Sequence, residues 1–273
     1  MDGNRGTEDP SFTFLPRTVD VAQANPARAY DYWLGGSANF AVDRERADEM
    51  IRADPKVVDM ARENRAFLGR VVRWCVDSGV NQFLDLGSGI PTVGNVHEIA
   101  QHRDPRSRVA YVDNEPIAVA HGRQLLSGNP LATTTHADLL EPETVLQSRG
   151  VNKLLDFRRP IAVLAVMVLH YFPDTDMLAR LLARYRSACP SGSYLALTHL
   201  STDNPRMDMA SIATVSERST HPAHPRSHQQ IQELIAGAEL VDPGIVWVHE
   251  WNNPDFANAE PHHGVYGVVV RAP

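Results

Sequence analysis

Three acidic residues placed where β-prone runs end, Asp85, Asp113 and Asp138, and two glycines, Gly87 and Gly89, carry most of the chemistry legible in this chain. The run Asn81–Ile90, NQFLDLGSGI, takes an apolar strand into Asp85 and then into a turn with Ser88 between its glycines. Glycine suits such a turn because it reaches positive φ without steric cost and lets the backbone approach a ligand closely. A helix is expected to follow, directing its unpaired N-terminal amides at an anionic or polar group. Strand-to-helix turns also use glycine for purely structural reasons, so the pair alone fixes no ligand. RVAYVD, residues 108–113, reads as the second strand and ends 24 residues after Gly89, where the Asp113 carboxylate can accept both hydroxyls of a ribose. Asn114 lies just beyond it. The short β-prone run 132–136 leads to Ala137-Asp138-Leu139, where Asp138 can accept a hydrogen bond from an adenine amino group.

These residues discriminate between nucleotide cofactors. A dinucleotide site would continue as GxGxxG, its third glycine allowing close helix-to-strand packing, whereas Ile90, Pro91 and Thr92 follow Gly89 here. Acids after three successive strands describe an adenosine site with no provision for a pyrophosphate. That favours S-adenosylmethionine over NAD.

The segments ARAYDYWLGGSANFAVDRE (27–45), ENRAFLGRVVRW (63–74), QFLDLGSGIPTVGNVHEIAQ (82–101), RVAYVDNEPIAVAH (108–121), HADLLEP (136–142), RPIAVLAVMVLHYFPD (159–174) and GSYLALTHLSTD (192–203) cover most of the chain. On them the chain resembles the class I S-adenosylmethionine-dependent methyltransferases. More narrowly, it resembles the actinobacterial S-adenosyl methyltransferase family, formerly a domain of unknown function. The resemblance implies an α/β, Rossmann-like fold: a mostly parallel seven-stranded sheet with helices on both faces and one antiparallel strand near the C-terminus. It also implies S-adenosyl-L-methionine as cofactor and S-adenosyl-L-homocysteine as product. It supplies no acceptor, because the family is defined by its cofactor fold and not by a shared substrate.

The elements that must position these residues follow from periodicity. Pro55–Gly79 places Val58, Ala61, Phe67, Leu68, Val71, Trp74 and Cys75 mainly on one helical stripe, and Pro173–Ala188 repeats the pattern with Met177, Leu178, Leu181, Leu182 and Tyr185. The apolar run Ile161–Leu169 suits a fourth strand buried on both faces, and SYLALTHL a fifth. Alternating strands and helices require right-handed crossovers and a parallel sheet. Glu239–Trp251 and His263–Arg271 both read as strands, forming a terminal hairpin-like pair, and Ser227 reads as the N-cap of QQIQELIAG.

With 273 residues, 43% hydrophobic and 22% charged, the chain suits one α/β domain over 16–273, preceded by a flexible polar tail over 1–15. The tail has neither an apolar core nor an Arg-rich amphipathic pattern, and no run approaches the roughly 18 apolar residues of a bilayer span, so a cytoplasmic location without a membrane partner is expected. A net charge of −7 argues against nucleic acid as partner and leaves a small molecule or a protein as acceptor, the small molecule favoured. Cys75 and Cys189 form no CxxC and read as buried small hydrophobes. His221, His224, His228, His262 and His263 invite a metal, but HPAHP is broken by proline and cannot set two ligands on one helix face, so a solvated loop and no metal are expected. The GSGIP turn also lacks the GxSxG frame of a hydrolase.

Two further groups bear on catalysis. Arg28, Tyr30, Tyr32, Trp33 and Phe40 surround Gly35-Gly36. They could be a hydrophobic clamp, but the density of aromatic and polar groups favours a helical lid, about residues 26–55, over the cofactor, with Tyr32 covering the sulfonium and Asn39 or Arg28 binding the methionine carboxylate. His170, in HYF just past the fourth strand, stands where open α/β sheets place chemistry and can act as general base toward an O–H or N–H acceptor. It reads equally well as a structural histidine, and methyl transfer also proceeds by proximity and orientation alone. No Asn-Pro-Pro-Tyr type sequence stands there to hold a nucleobase amino group. A small-molecule methyltransferase is the favoured reading, with a catalytically silent S-adenosylmethionine-binding regulatory protein and an NAD-linked oxidoreductase as alternatives.

Overall fold

The computed structural model describes residues 21–92, 94–204, 209–217, 219, 221–255 and 264–272. The expected tail over 1–15, and His262 and His263, lie outside the described residues. Three helices come first: α1 (Pro26–Trp33), α2 (Ala41–Ala53) and α3 (Val57–Asp77). The alternating part follows as β1 (Gln82–Leu86), α4 (Val96–Arg103), β2 (Arg108–Asp113), α5 (Pro116–Leu125), β3 (Ala132–His136), α6 (Pro142–Gln147), α7 (Arg149–Leu154), β4 (Ala162–Ala165), α8 (Thr175–Ser187) and β5 (Tyr194–Leu200). The chain then runs through α9 (Met209–Ser216), α10 (His228–Leu234), β6 (Val246–Trp247) and β7 (Val265–Arg271).

The strands form one seven-stranded sheet in the order β3-β2-β1-β4-β5-β7-β6. Neighbours from β3 to β5 are parallel, while β7 runs antiparallel to both β5 and β6. The two-residue period of a strand divides the core into two halves. Leu84, Leu86, Val163, Leu195 and Val268 pack with α8 residues Leu178, Leu182 and Tyr185 on one face. Phe83, Ala162, Leu164, Ala196 and Val269 pack with α3 residues Phe67, Leu68, Val71 and Cys75 on the other. Asp85 has the parity of Phe83, so the first acid of the sequence motif lies on the α3 side of the sheet.

α3 buries Val57, Met60, Ala61, Asn64, Phe67, Leu68, Val71, Val72 and Cys75, an i, i+3, i+4 stripe with one polar member. Asp174 caps α8 by accepting from the Met177 amide, and Ser227 with Gln230 forms the capping box expected for α10. Cys75 and Cys189 are both buried and unpaired with each other, and burial pushes the Cys189 thiol up to about 12. No helix among the described residues is long and apolar enough to cross a membrane.

Three sequence expectations change in extent. The run Ile161–Leu169 is not one strand, because β4 ends at Ala165, Met167 takes φ +58, and Leu169–Tyr171 forms a 3-10 turn. Within Glu239–Trp251 only Leu240, which bridges to Val270, and Val246–Trp247 join the sheet. Between them Gly244 donates to Val241 O, a turn around Pro243, which has no amide hydrogen for a ladder. The helix after the glycine turn starts only at Val96, behind an Asn95–Glu98 capping box. Residues 90–95 therefore separate its first turn from Gly89.

Candidate cofactor cleft

The C-terminal ends of β1, β2, β3 and β4 and the start of α1 enclose a cleft of about 280 Å³. It lies near the lower end of the ~300–1,000 Å³ usual for small-molecule sites. Asp85, Gly87, Ser88, Gly89, Asp113, Asn114, Asp138 and Leu139 all border it, so the residues singled out at three strand ends meet in one place. Sheet topology is the reason: β1 lies between β2 and β4, and β3 flanks β2, so consecutive loops open side by side.

The glycine loop is held from β2. The Gly87 and Ser88 amides donate to Val112 O at 2.8 and 3.2 Å, and the Gly89 amide donates to the Asp113 carboxylate at 2.7 Å. Gly87 and Gly89 both have φ +66. At Gly87 a Cβ would also stand 2.4 Å from Val168 Cγ2, so conformation and space both demand glycine. The other Asp113 oxygen accepts from the Glu115 amide at 2.8 Å. Asp113 is 7% exposed, and burial raises its pKa while the amides of Glu115, Gly89 and Asn114 oppose the shift. Asp138 turns the chain after β3 by accepting from the Leu140 amide at 2.9 Å, and Leu139 O is fixed by the Tyr185 hydroxyl at 2.8 Å.

Asp85 is 5% exposed, and its carboxyl is pushed up to about 7, first by burial, with Asp113 adding and Arg65 opposing. Arg65, on α3, borders the same cleft, and its Nε is buried without a hydrogen-bond partner while its terminal nitrogen donates to Thr92 Oγ1 at 3.0 Å. Arg65 also borders a wider, open groove of about 810 Å³ along α3. The arginines there are largely engaged: Arg62 with Asp59, Arg103 with Asp77, and Arg70 with Trp251 O and Val248 O.

The far wall comes from α1 and the β4 loop. Tyr30, Met167 and Tyr171 border the cleft, and a hydrogen-bonded series fixes the first two. The Met167 amide donates to Thr198 Oγ1 at 2.9 Å, Thr198 to Asn64 Oδ1 at 2.7 Å, Asn64 Nδ2 to the Tyr30 hydroxyl at 2.9 Å, and Tyr30 to Ala61 O at 3.0 Å. This series over-determines the left-handed backbone at Met167, a conformation that costs a non-glycine residue about 1–3 kcal/mol.

The structure places the expected lid residues elsewhere. Tyr32, two positions from Tyr30 and so about 200° around the helix, does not border the cleft, and its hydroxyl donates to Asp48 at 3.2 Å. Arg28, 2% exposed, is enclosed by Asp43 at 2.8 Å, Glu115 at 3.3 Å and Gln23 O. Asn39 closes its own turn, donating to Asp31 and Gly36 O and accepting from Arg44. Neither of these two borders the cleft, and among the described residues the lysine or arginine that does is Arg65. His170 sits in the 3-10 turn, 2% exposed, and borders an adjoining cavity instead of the cleft. Its pKa lies well below the usual 6.5, first through burial and then through His199, Arg226 and His224. The ring is therefore neutral at pH 7.

Sequence reasoning alone does not single out Asn64 or Arg65. A polar residue on an apolar helical stripe was the signal for Asn64. Nothing distinguishes Arg65 from the other arginines of α3 until Asp85 is brought opposite it.

A sheet of this order, with one reversed strand and a glycine loop and acids at its C-terminal edge, defines the class I methyltransferase fold. Human N-acetylserotonin methyltransferase, solved with S-adenosylmethionine, shares it at 14% identity and TM-score 0.50, over 91% of this chain and 62% of that one. The chain belongs to the S-adenosyl methyltransferase family, whose model matches residues 13–273. A DUF574 family protein from Streptomyces avermitilis is 36% identical, with TM-score 0.87, over 93% of this chain and 99% of that one. A candidate methyltransferase from Thermobifida fusca is also 36% identical with TM-score 0.87, over 93% and 96% of the two chains. No curated protein matches the chain.

Proposed function

We propose that this protein is a methyltransferase that binds S-adenosyl-L-methionine in the cleft and serves a small-molecule acceptor. The observation that carries the reading is that Asp85 and Arg65 border the cleft together with the Gly87–Gly89 loop, with Arg65 Nε buried and unpartnered. A methionine moiety is a zwitterion: its ammonium suits Asp85 and its carboxylate suits Arg65. A pyrophosphate would meet a loop whose three amides are already bonded to β2, which disfavours NAD. Asp113 is assigned to the ribose hydroxyls, with Asn114 beside it, and Asp138 and Leu139 to the adenine.

When bound, the cofactor supplies an electrophilic methyl group. The chain's own work is to orient and to exclude water: Tyr30, Met167 and Tyr171 form the wall through which an acceptor must approach. His170, neutral and at the adjoining cavity, is assigned to hydrogen-bond the acceptor and to take its proton where the acceptor is O–H or N–H.

Calorimetry tests the cofactor. S-adenosylmethionine should bind and NAD should not. Arg65→Met should weaken S-adenosylmethionine about 10- to 150-fold, the loss of a charge-assisted hydrogen bond, and should leave 5′-methylthioadenosine, which has no carboxylate, within about twofold. Binding of NAD in preference would overturn the reading. Formation of S-adenosylhomocysteine in the presence of an acceptor, followed by mass spectrometry, distinguishes turnover from silent binding.

A further inference from the structure

Beside the cleft lies a second cavity of about 80 Å³. Asn25, Pro26, Tyr30, Met167, Tyr171 and His221 border both spaces, so the two adjoin across the start of α1 and the loop after β4. Behind that shared wall the cavity is lined chiefly by Trp33, Met50, Val57, Met60, Leu200 and Ile212. Among the described residues no carboxylate borders it, and its cation, Arg46, is held by Glu49 at 2.8 Å and by Val215 O at 3.2 Å. A charged ligand would therefore enter without a dedicated counter-ion and lose its hydration.

One polar atom stands out in these walls. His170 is 2% exposed, and its Nδ1 is buried with no hydrogen-bond partner. Buried nitrogens are nearly always bonded, so an orphan on a residue that borders a cavity points to a ligand atom as its missing partner. His170 stands between Met167 and Tyr171 in sequence, and its ring lies 4.1 Å, centroid to centroid, from that of Tyr171. The ring that carries the orphan nitrogen is thus beside the wall shared with the cleft. A hydroxyl suits it in either tautomer, because O–H both donates and accepts.

Size narrows the occupant. A sealed apolar cavity of about 150 Å³ takes up benzene, so about 80 Å³ admits a single ring only in part. The ring's polar edge would remain at the shared wall.

We propose that this cavity is the acceptor subsite and that it takes an uncharged one-ring aromatic bearing a hydroxyl, with the apolar edge of the ring toward Trp33, Met50 and Met60 and the hydroxyl on His170 Nδ1. The assignment rests on the methyltransferase reading above. An acceptor held this way presents its oxygen toward the cleft, where the methyl group is delivered.

Phenol is the probe, titrated by calorimetry and ligand-observed NMR into the full-length protein with and without saturating S-adenosylhomocysteine. Phenol should bind, and benzoate should bind at least about tenfold more weakly. Ala223→Trp fills the cavity from a position that borders it and not the cleft, and Ala29→Leu serves as a second filling variant if the first melts early. Either should abolish phenol binding and leave S-adenosylhomocysteine affinity within about twofold. His170→Phe should weaken phenol about tenfold by removing the hydrogen bond. The proposal is overturned if phenol gives no signal at millimolar concentration while S-adenosylhomocysteine binds, if benzoate binds as well as phenol, or if phenol binding survives both filling variants. Phenol binding without any binding of S-adenosylhomocysteine would instead overturn the cofactor reading and, with it, the acceptor role.

Discussion

Replacing Asp113 tests the cleft most directly, because its carboxylate has two tasks that different ligands can separate. It already accepts from the Gly89 amide at 2.7 Å and the Glu115 amide at 2.8 Å. Those bonds hold the glycine loop and the start of α5, and the remaining lone pairs are the ones assigned to the ribose. Asp113→Ala removes both acceptors. Hydrogen bonds to a charged group are worth about 1.5–3 kcal/mol each, so the unliganded protein should lose up to about 3–6 kcal/mol, less the relief of the burial that raises the Asp113 pKa and whatever water recovers in the open cleft. For a chain of this size about 2–4 °C of Tm accompanies each kcal/mol, so differential scanning calorimetry should register the change easily. The ribose contribution adds about 1.5–3 kcal/mol to binding, a 10- to 150-fold loss of S-adenosylhomocysteine affinity. Asp113→Asn keeps one acceptor oxygen and should lie between. The decisive comparison is a 2′,3′-dideoxy analogue of S-adenosylhomocysteine, on which the mutation should act much less. If Asp113→Ala weakens both ligands equally, the carboxylate holds the loop and does not touch the ribose, and the assignment fails.

Four further outcomes are expected. Asp85, raised from 3.8 to about 7, keeps a proton in the folded state that the unfolded chain loses, so its contribution to stability declines as pH rises from about 4 to 7; Asp85→Asn should then stabilise the unliganded protein at pH 8 by up to about 4 kcal/mol in urea unfolding. The same substitution should flatten a rise in S-adenosylmethionine affinity between pH 6 and 8, and an unchanged rise would remove Asp85 from the site. Arg28→Ala leaves Asp43 buried without its ion pair and should cost about 3–5 kcal/mol in urea unfolding, with S-adenosylhomocysteine affinity nearly intact; a selective loss of affinity would return Arg28 to the carboxylate. Residues 26–33 should gain hydrogen-exchange protection when S-adenosylhomocysteine binds, because Pro26, Ala27 and Tyr30 face the cleft, and equal protection would make α1 a static clamp. His170→Ala should lower the methyl-transfer rate about 10²- to 10⁴-fold without affecting cofactor affinity. Because the parent's imidazole titrates well below 6.5, its rate should be flat from pH 6 to 8, and a limb near 6.5 that persists in the variant would place the base elsewhere.

The cleft's floor was readable because a strand and the acid at its end are local signals. Asp85, Asp113 and Asp138 each follow an apolar or β-prone run, and strand alternation alone brings three such ends together. The wall was not readable, because its members depend on phase and on long-range contact. In α1 both Tyr30 and Tyr32 carry the same chemistry, and only the packing of α1 on α3 decides which one turns inward. Arg28 looked like an anion-binding side chain until Asp43 and Glu115 were found around it. The fourth strand was overextended because Val166–Leu169 remains apolar after leaving the sheet, and hydrophobicity does not report a positive φ at Met167. The late start of α4 had the same origin: the stretch after Gly89 gave no cap until Asn95.

The series from Met167 to Ala61 has a direction as well as a position. Its first member is a peptide N–H, which can only donate, and its last is a peptide C=O, which can only accept. Thr198 must therefore spend its hydrogen on Asn64 Oδ1, the amide of Asn64 must turn its nitrogen to Tyr30, and the phenolic hydrogen must point at Ala61. The backbone fixes both ends, so no member can be reversed alone. Serine could replace Thr198 and keep the sense of the chain, whereas Asn64→Asp, identical in outline, would set an acceptor where a donor is required and draw the Tyr30 hydrogen away from the Ala61 carbonyl. A proton passed along this line would need every link to turn at once. Tyr30 is thereby held as an inert wall of the cleft, aligned for contact but unable to take a proton from whatever is methylated beside it.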